Sequence, residues 1–180
     1  MKRRVGIVFL FVWMAGLGGI EACAADNAVV APLRQQWESI RNMMVRIVEV
    51  VPEDKYNYKP TPDVRSFLDL FIHVAGENYF FMSGVTGDKP GDLSRLDKLK
   101  TREEILKALH ESYDYGAKIL AGLDDQKAME IITVRNRQMP RWQPALANIV
   151  DNMDHYGNLV VYMRLNGIVP PESAPRQPQR

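Results

Sequence analysis

Four separate stretches of this 180-residue chain carry apolar side chains at steps of three and four. That spacing gathers them along one side of an α-helix. From Ala28 to Val51 the stripe is Val30, Leu33, Trp37, Ile40, Met44, Ile47 and Val51, and Pro52 closes it. Ser66 with Asp69 three residues on reads as a capping box. It opens a second helix through Phe67, Leu70, Phe71, Val74 and Phe81, with polar Asn78 on the same stripe; the helix runs to about Val85, where Gly84 and Gly87 break it. Thr101 and Glu104 repeat the capping pattern before Ile105, Leu109, Ser112, Tyr113, Gly116, Ile119, Leu120 and Leu123. Pro144 suits the first turn of a fourth helix. That helix carries Leu146, Ile149, Val150, Met153, Val160, Val161 and Met163 to about Asn166, with Gly167 as its C-cap.

The connections fit this reading. Pro52, Pro60 and Pro62 make the first one irregular. Asp124 to Arg141 is expected to be a structured loop: Glu130-Ile-Ile-Thr-Val-Arg-Asn136 has β-branched residues, but no partner strand is evident. Four amphipathic helices of about 20 residues predict an all-α four-helix bundle. The expected limits are 26–167 for the bundle and 168–180 for a proline-rich tail, extended and disordered at its end.

The chain carries 23 Lys+Arg and 22 Asp+Glu. This balance lacks the basic excess of a nucleic-acid binder. Lys2, Arg3 and Arg4 precede a charge-free apolar run, Val5 to Ile20, followed by Glu21-Ala-Cys-Ala-Ala25. Those are the parts of a secretory signal peptide, residues 1–25, and the expected location is periplasmic or secreted. The apolar run is shorter than the roughly 20 residues that span a bilayer, so no transmembrane span is expected after cleavage. The alternative is a lipoprotein anchored through Cys23, although Glu21 suits a lipobox poorly. Cleavage would leave 20 basic and 21 acidic residues and remove the single cysteine, and with it thiolate chemistry.

Chemistry therefore falls to three histidines and the carboxylates around them. His73 lies mid-helix at the edge of the second apolar face. Asp151 and His155, four residues apart, project together from the fourth helix. A histidine from one helix and an Asp/His pair from another can converge in a bundle to hold a metal. Two imidazoles and one carboxylate suit Zn, Ni, Fe or Mn. Glu77, one turn after His73, is the candidate general base; Asp154 is a second, aimed about 100° away from His155. His110 stands among charged residues and is expected at the surface. The opposing reading has core-packed histidines and a solvated Asp151.

Two segments resemble a known family: Pro52 to Phe67 with His73-Val-Ala-Gly-Glu-Asn-Tyr-Phe-Phe81, and Asp154-His-Tyr-Gly-Asn158 through Tyr162-Met-Arg-Leu-Asn-Gly-Ile-Val-Pro-Pro171 to Ser173. Both are similar to the DinB-like superfamily, over most of residues 30 to 173. The resemblance implies an up-down-down-up bundle with a divalent metal at one end. It also implies three metal-binding histidines, one from helix two and a His-x-x-x-His pair from helix four. His73 matches the first and His155 the last, while Asp151 stands at the middle position. The implied activity is metal-dependent hydrolysis or thiol transfer on a small molecule. Export argues against the latter, because low-molecular-weight thiols are mainly cytosolic. The alternative is a vestigial site in a non-catalytic ligand-binding module or a structural homodimer.

Overall fold

The structure is a computed structural model that describes residues 27–175. The expected leader, 1–25, and the last tail residues, 176–180, lie outside the described residues. Four long helices dominate: α1 (Val30–Val50), α2 (Phe67–Thr86), α3 (Arg102–Ala121) and α5 (Gln143–Leu165). A single-turn helix, α4 (Asp125–Ala128), precedes an antiparallel hairpin of β1 (Ile131–Val134) and β2 (Arg137–Pro140). Among the described residues, no helix is long and apolar enough to cross a membrane.

The helix starts follow from local chemistry. Ser66 Oγ accepts from the Asp69 amide at 3.1 Å while Asp69 Oδ2 accepts from the Ser66 amide at 3.0 Å. Thr101 and Glu104 make the same reciprocal pair. Each box satisfies two amides that the first turn would leave without partners. Gly87 ends α2 with φ of 85°, a left-handed conformation that a Cβ would strain. α1 has no side-chain cap of its own. The Asp125 carboxylate, from α4, accepts from the amides of Val29 and Val30 instead, at 3.0 and 2.9 Å.

Pairwise contacts fix the directions. Arg34 of α1 reaches Leu120 and Leu123, and Trp37 meets Tyr113, so α1 and α3 are antiparallel. Glu77 of α2 meets His155 and Gly84 backs onto Pro144, so α2 and α5 are antiparallel. Asn78 meets Ser112, Tyr79 meets Tyr115, and Val85 shares a groove with Ile119 and Leu123, so α2 and α3 run parallel. α1 and α5 are parallel too, since Leu33 shares a groove with Ile149 and Arg46 pairs with Glu172 beyond the end of α5. The order is up-down-down-up. Each helix packs on two others, with α1 diagonal to α2 and α3 diagonal to α5.

Three expectations need correction. The segment Asp124–Arg141, expected as a structured loop without a partner strand, contains a paired hairpin. Ile131–Val134 finds its partner in Arg137–Pro140, and Arg135 and Asn136 turn the chain with φ of 50° and 64°. Positive φ at both central residues marks a two-residue hairpin turn whose twist matches the strands. Secondly, the apolar residues assigned to the fourth helix occupy two faces. Ile149 and Met163 are buried, but Val150 and Val161 are 60% and 51% exposed, with Leu146 and Met153 also exposed. Finally, the start of the tail is not simply extended. Pro170 is buried, and the single 3-10 turn Pro171–Ser173 docks on α1 through Arg46 and Glu172.

The core centres on Trp37, fully buried, whose Nε1 donates to the Tyr113 carbonyl at 2.9 Å. Its ring lies edge-on to Tyr113 and comes close against Gly116 of α3. A Cβ on residue 116 would overlap the indole ring. Gly116→Ala should therefore destabilise the fold by about 1–3 kcal/mol despite the better helix propensity of alanine. Urea denaturation checks this, and equal or greater stability would show that the indole has room to move.

Candidate metal centre

Because α2 and α5 are antiparallel, two one-turn pairs face each other: His73 with Glu77, and Asp151 with His155. Glu77 spans the two imidazoles. Its Oε1 lies 2.6 Å from His73 Nε2 and its Oε2 lies 3.1 Å from His155 Nε2. The two rings meet edge to face with centroids 4.9 Å apart. His155 is buried, while His73 and Glu77 are half-buried. One ligand atom from each of His73, Glu77 and His155 falls within a 4.8 Å cluster. Asp151 Oδ2 lies 3.5 Å from His155 Nε2 and is buried without a hydrogen-bond partner.

The centre rests on a layer of buried amides. Asn78 Oδ1 accepts from Asn148 Nδ2 at 3.1 Å and from Asn152 Nδ2 at 2.9 Å. Asn78 Nδ2 donates to Ser112 Oγ at 3.0 Å, and Ser112 Oγ donates to the Leu109 carbonyl. Asn78 follows Glu77 directly, and Asn152 follows Asp151. Fixing these amides across the seam fixes where the carboxylates meet.

The electrostatics follow from this crowding. Burial, then the positive charges of Arg65 and His155, push the His73 imidazole down to about 4, against a smaller upward pull from Asp151. Its nitrogen lone pair is thus available through the neutral range. Burial pushes the Glu77 carboxyl up; the hydrogen bond to His155 opposes this, and Asp151 adds to it. His155 is raised, chiefly by its hydrogen bond to Glu77, with burial opposing and the charges of Glu77, Asp151 and Asp154 reinforcing.

These residues fit a divalent cation. Two facing carboxylates repel each other in a half-buried site unless a proton or cation lies between them. Two imidazole nitrogens with carboxylate oxygens form a donor set for Zn, Fe, Ni or Mn. The orphaned Asp151 oxygen is a buried acceptor in need of a partner. One feature departs from a fully supported site: His155 Nδ1 is buried without a partner. Metal-bound histidines usually donate from that second nitrogen.

The structure thus brings Asp151, His155, His73 and Glu77 together, but the compact trio takes its carboxylate from Glu77. Sequence reading had Asp151 as ligand and Glu77 as base. The signal for Glu77 was its one-turn spacing from His73, the same spacing that drew attention to Asp151 and His155. The supporting amides Asn148 and Asn152 carried no such signal. Asp154 is exposed and accepts from Asn158 Nδ2 at 3.3 Å, outside the cluster. His110 is exposed, with Nδ1 3.4 Å from Arg41 Nη2.

His73 also links the site to stability. Its folded pKa lies below the unfolded value of 6.5, so the folded state binds fewer protons between the two. The stability it contributes is present above pH 6.5 and is lost as pH falls toward about 4. Metal-free His73→Leu should lose less stability than metal-free wild type between those limits. Urea melts at pH 6.5 and 4.5 measure this, and parallel losses in both proteins would contradict it.

Against known proteins, the description "DinB superfamily" matches residues 36–159. No curated protein matches the chain. Among solved structures, a DinB-like protein from Bacillus cereus ATCC 10987 superposes with a TM-score of 0.69 at 16% identity, covering 78% of this chain and 95% of its own. A DinB-like protein from Bacillus subtilis, YjoA, gives 0.64 at 22% identity, covering 83% and 99%. YfiT from Bacillus subtilis, described as a probable metal-dependent hydrolase with an unusual four-helix bundle topology, gives 0.61 at 15% identity, covering 77% and 88%. These likenesses concern the fold. With the family match spanning more than half its length, the chain belongs to the DinB superfamily.

Proposed function

We propose that this protein is an exported metal-dependent hydrolase acting on a small molecule, with His73, His155 and Glu77 as the metal-holding side chains. The observation that carries this reading is the Glu77 carboxylate bridging two imidazole Nε2 atoms within a 4.8 Å cluster. The fold shared with YfiT supports the reaction class. A bound divalent metal supplies Lewis acidity, which polarises a carbonyl and lowers the pKa of water. Asp151 Oδ2, buried and unpartnered, accepts the proton of the attacking water. His155 must give up its Nε2 proton to coordinate, and its ring proton then resides on Nδ1. Phe80 lines the cleft that also holds His73 and Glu77.

Under this assignment, Glu77→Ala should weaken zinc binding at least about tenfold. Asp151→Ala should keep zinc but lower turnover of ester and amide probes by about 10²–10⁴-fold. Zinc calorimetry and steady-state kinetics separate the two roles. If Asp151→Ala loses zinc as Glu77→Ala does, Asp151 is the ligand, and Asp151→His should then restore binding. Zinc affinity should also fall as pH drops below the raised pKa of His155, about tenfold per unit, because each binding event displaces its proton. A flat profile across pH 5 to 8 would remove His155 from the ligand set.

Export is supported by the basic start, apolar run and Ala-rich segment of residues 1–25. Intact mass of protein from the cell envelope should correspond to a chain beginning near Asp26. A mass retaining Met1 to Ala25 would refute cleavage, and diacylglycerol on Cys23 would establish the lipoprotein form instead.

A further inference from the structure

Past the metal centre, the α2–α5 seam opens into a second cavity of about 490 Å³ beneath the hairpin. Phe80 and Phe81 from α2, Ala147 from α5 and Met139 from β2 give it an apolar interior. Gly84 presents no side chain there, so the strand residue Val134 and Pro144 of α5 approach the helix closely. Phe80 belongs to both cavities, since it also lines the cleft of His73 and Glu77. The two spaces therefore share a wall formed by one half-buried aromatic ring.

Two arginines of the hairpin stand at the rim. The Arg135 guanidinium lies 3.7 Å from the centroid of the Phe80 ring, and Arg137 lines the same cavity. Arg141 and Arg95 are paired with Glu130 and Glu111, but among the described residues neither Arg135 nor Arg137 is paired with a carboxylate. Arg135 also holds φ of 50°, at a turn position where Gly or Asn is the unstrained choice. A long cationic side chain is thus kept at a strained position, stacked over the ring between the two cavities. Lys89 and Asp88 flank Arg135 in the adjoining space.

We propose that this cavity binds the apolar, carboxylate-bearing part of the substrate, with Arg135 and Arg137 receiving the carboxylate and Phe80, Phe81 and Met139 enclosing the hydrocarbon. Guanidinium groups recognise carboxylates through paired charge-assisted hydrogen bonds. The substrate class is therefore an amphiphilic carboxylate that reaches from the arginines past Phe80 toward His73 and Glu77. What is done to that bond rests on the metal-centre reading; the binding does not.

The test uses 4-phenylbutyrate and its neutral counterpart 4-phenylbutan-1-ol, titrated into the full chain with and without zinc and followed by calorimetry at low salt. The carboxylate should bind at least about fivefold more tightly than the alcohol. The double variant Arg135→Gln/Arg137→Gln should erase that preference and leave alcohol binding within about twofold. Ala147→Trp, with unchanged helical circular dichroism, should abolish binding of both probes. Equal affinities, a preference that survives the double variant, or no saturable binding up to about 10 mM, the weak end of specific recognition, would each overturn the proposal. A chain that takes up no zinc yet binds the carboxylate through its arginines would sink the hydrolase reading and leave this one standing. Zinc uptake without arginine-dependent binding would do the reverse.

Discussion

The amide of Asn78 joins α2 to α3 through Ser112 and to α5 through Asn148 and Asn152, and all four side chains are fully buried. Each such bond contributes only about 0.5–1.5 kcal/mol net, because the unfolded chain bonds to water instead. The larger effect is on alternatives. Sliding α5 along α2 by one turn would strand several buried amides, each at about 1–3 kcal/mol. An all-apolar seam would tolerate that slip far better. The cluster therefore sets register, and register sets the metal centre: Glu77 precedes Asn78, and Asp151 precedes Asn152. The polar residue that interrupts the apolar stripe of α2 is the one that places the chemistry.

The metal centre uses the bundle economically. Two helices each supply a pair of residues one turn apart, and antiparallel packing turns the two pairs into one cluster. What distinguishes it is that two carboxylates lie beside the two imidazoles. Glu77 and Asp151 together bring more negative charge than a half-buried site tolerates alone, and the upward shifts of both Glu77 and His155 express that tension. A cation relieves it, as does a proton shared between Glu77 and His155.

Much of this was legible in the sequence because the determining signals are local. The capping boxes at Ser66 and Thr101 and the glycine after α2 depend on residues within one or two turns. The one-turn spacing of Asp151 and His155 survives into the structure for the same reason. The rest depends on partners distant in sequence. The hairpin was missed because Arg137-Gln-Met-Pro140 has little strand character and its turn, Arg135-Asn136, lacks the usual glycine. The two faces of α5 could not be separated, since Val150 and Val161 are as apolar as Ile149 and Met163. Only the positions of α1 and α2 decide which are covered. Asp125 capping α1 is likewise invisible without the fold. Which of the two carboxylates lies between the rings depends on how α2 and α5 pack, which spacing along one helix does not resolve.

The up-down-down-up order has a consequence for how the chain reaches this state. Helices adjacent in sequence, α1 and α2, are diagonal in space, so among the long helices α1 packs chiefly on α3 and α5. The pairing of α2 with α5 joins Glu77 to His155 across 78 positions of chain. Contacts so distant in sequence raise contact order, and closing such loops costs entropy before any contact rewards it. A chain of this topology folds more slowly than a same-sized bundle whose successive helices are all neighbours. The His73–Glu77 and Asp151–His155 pairs meet only when α5 docks on α2, so a metal held between them during folding would favour that docking step.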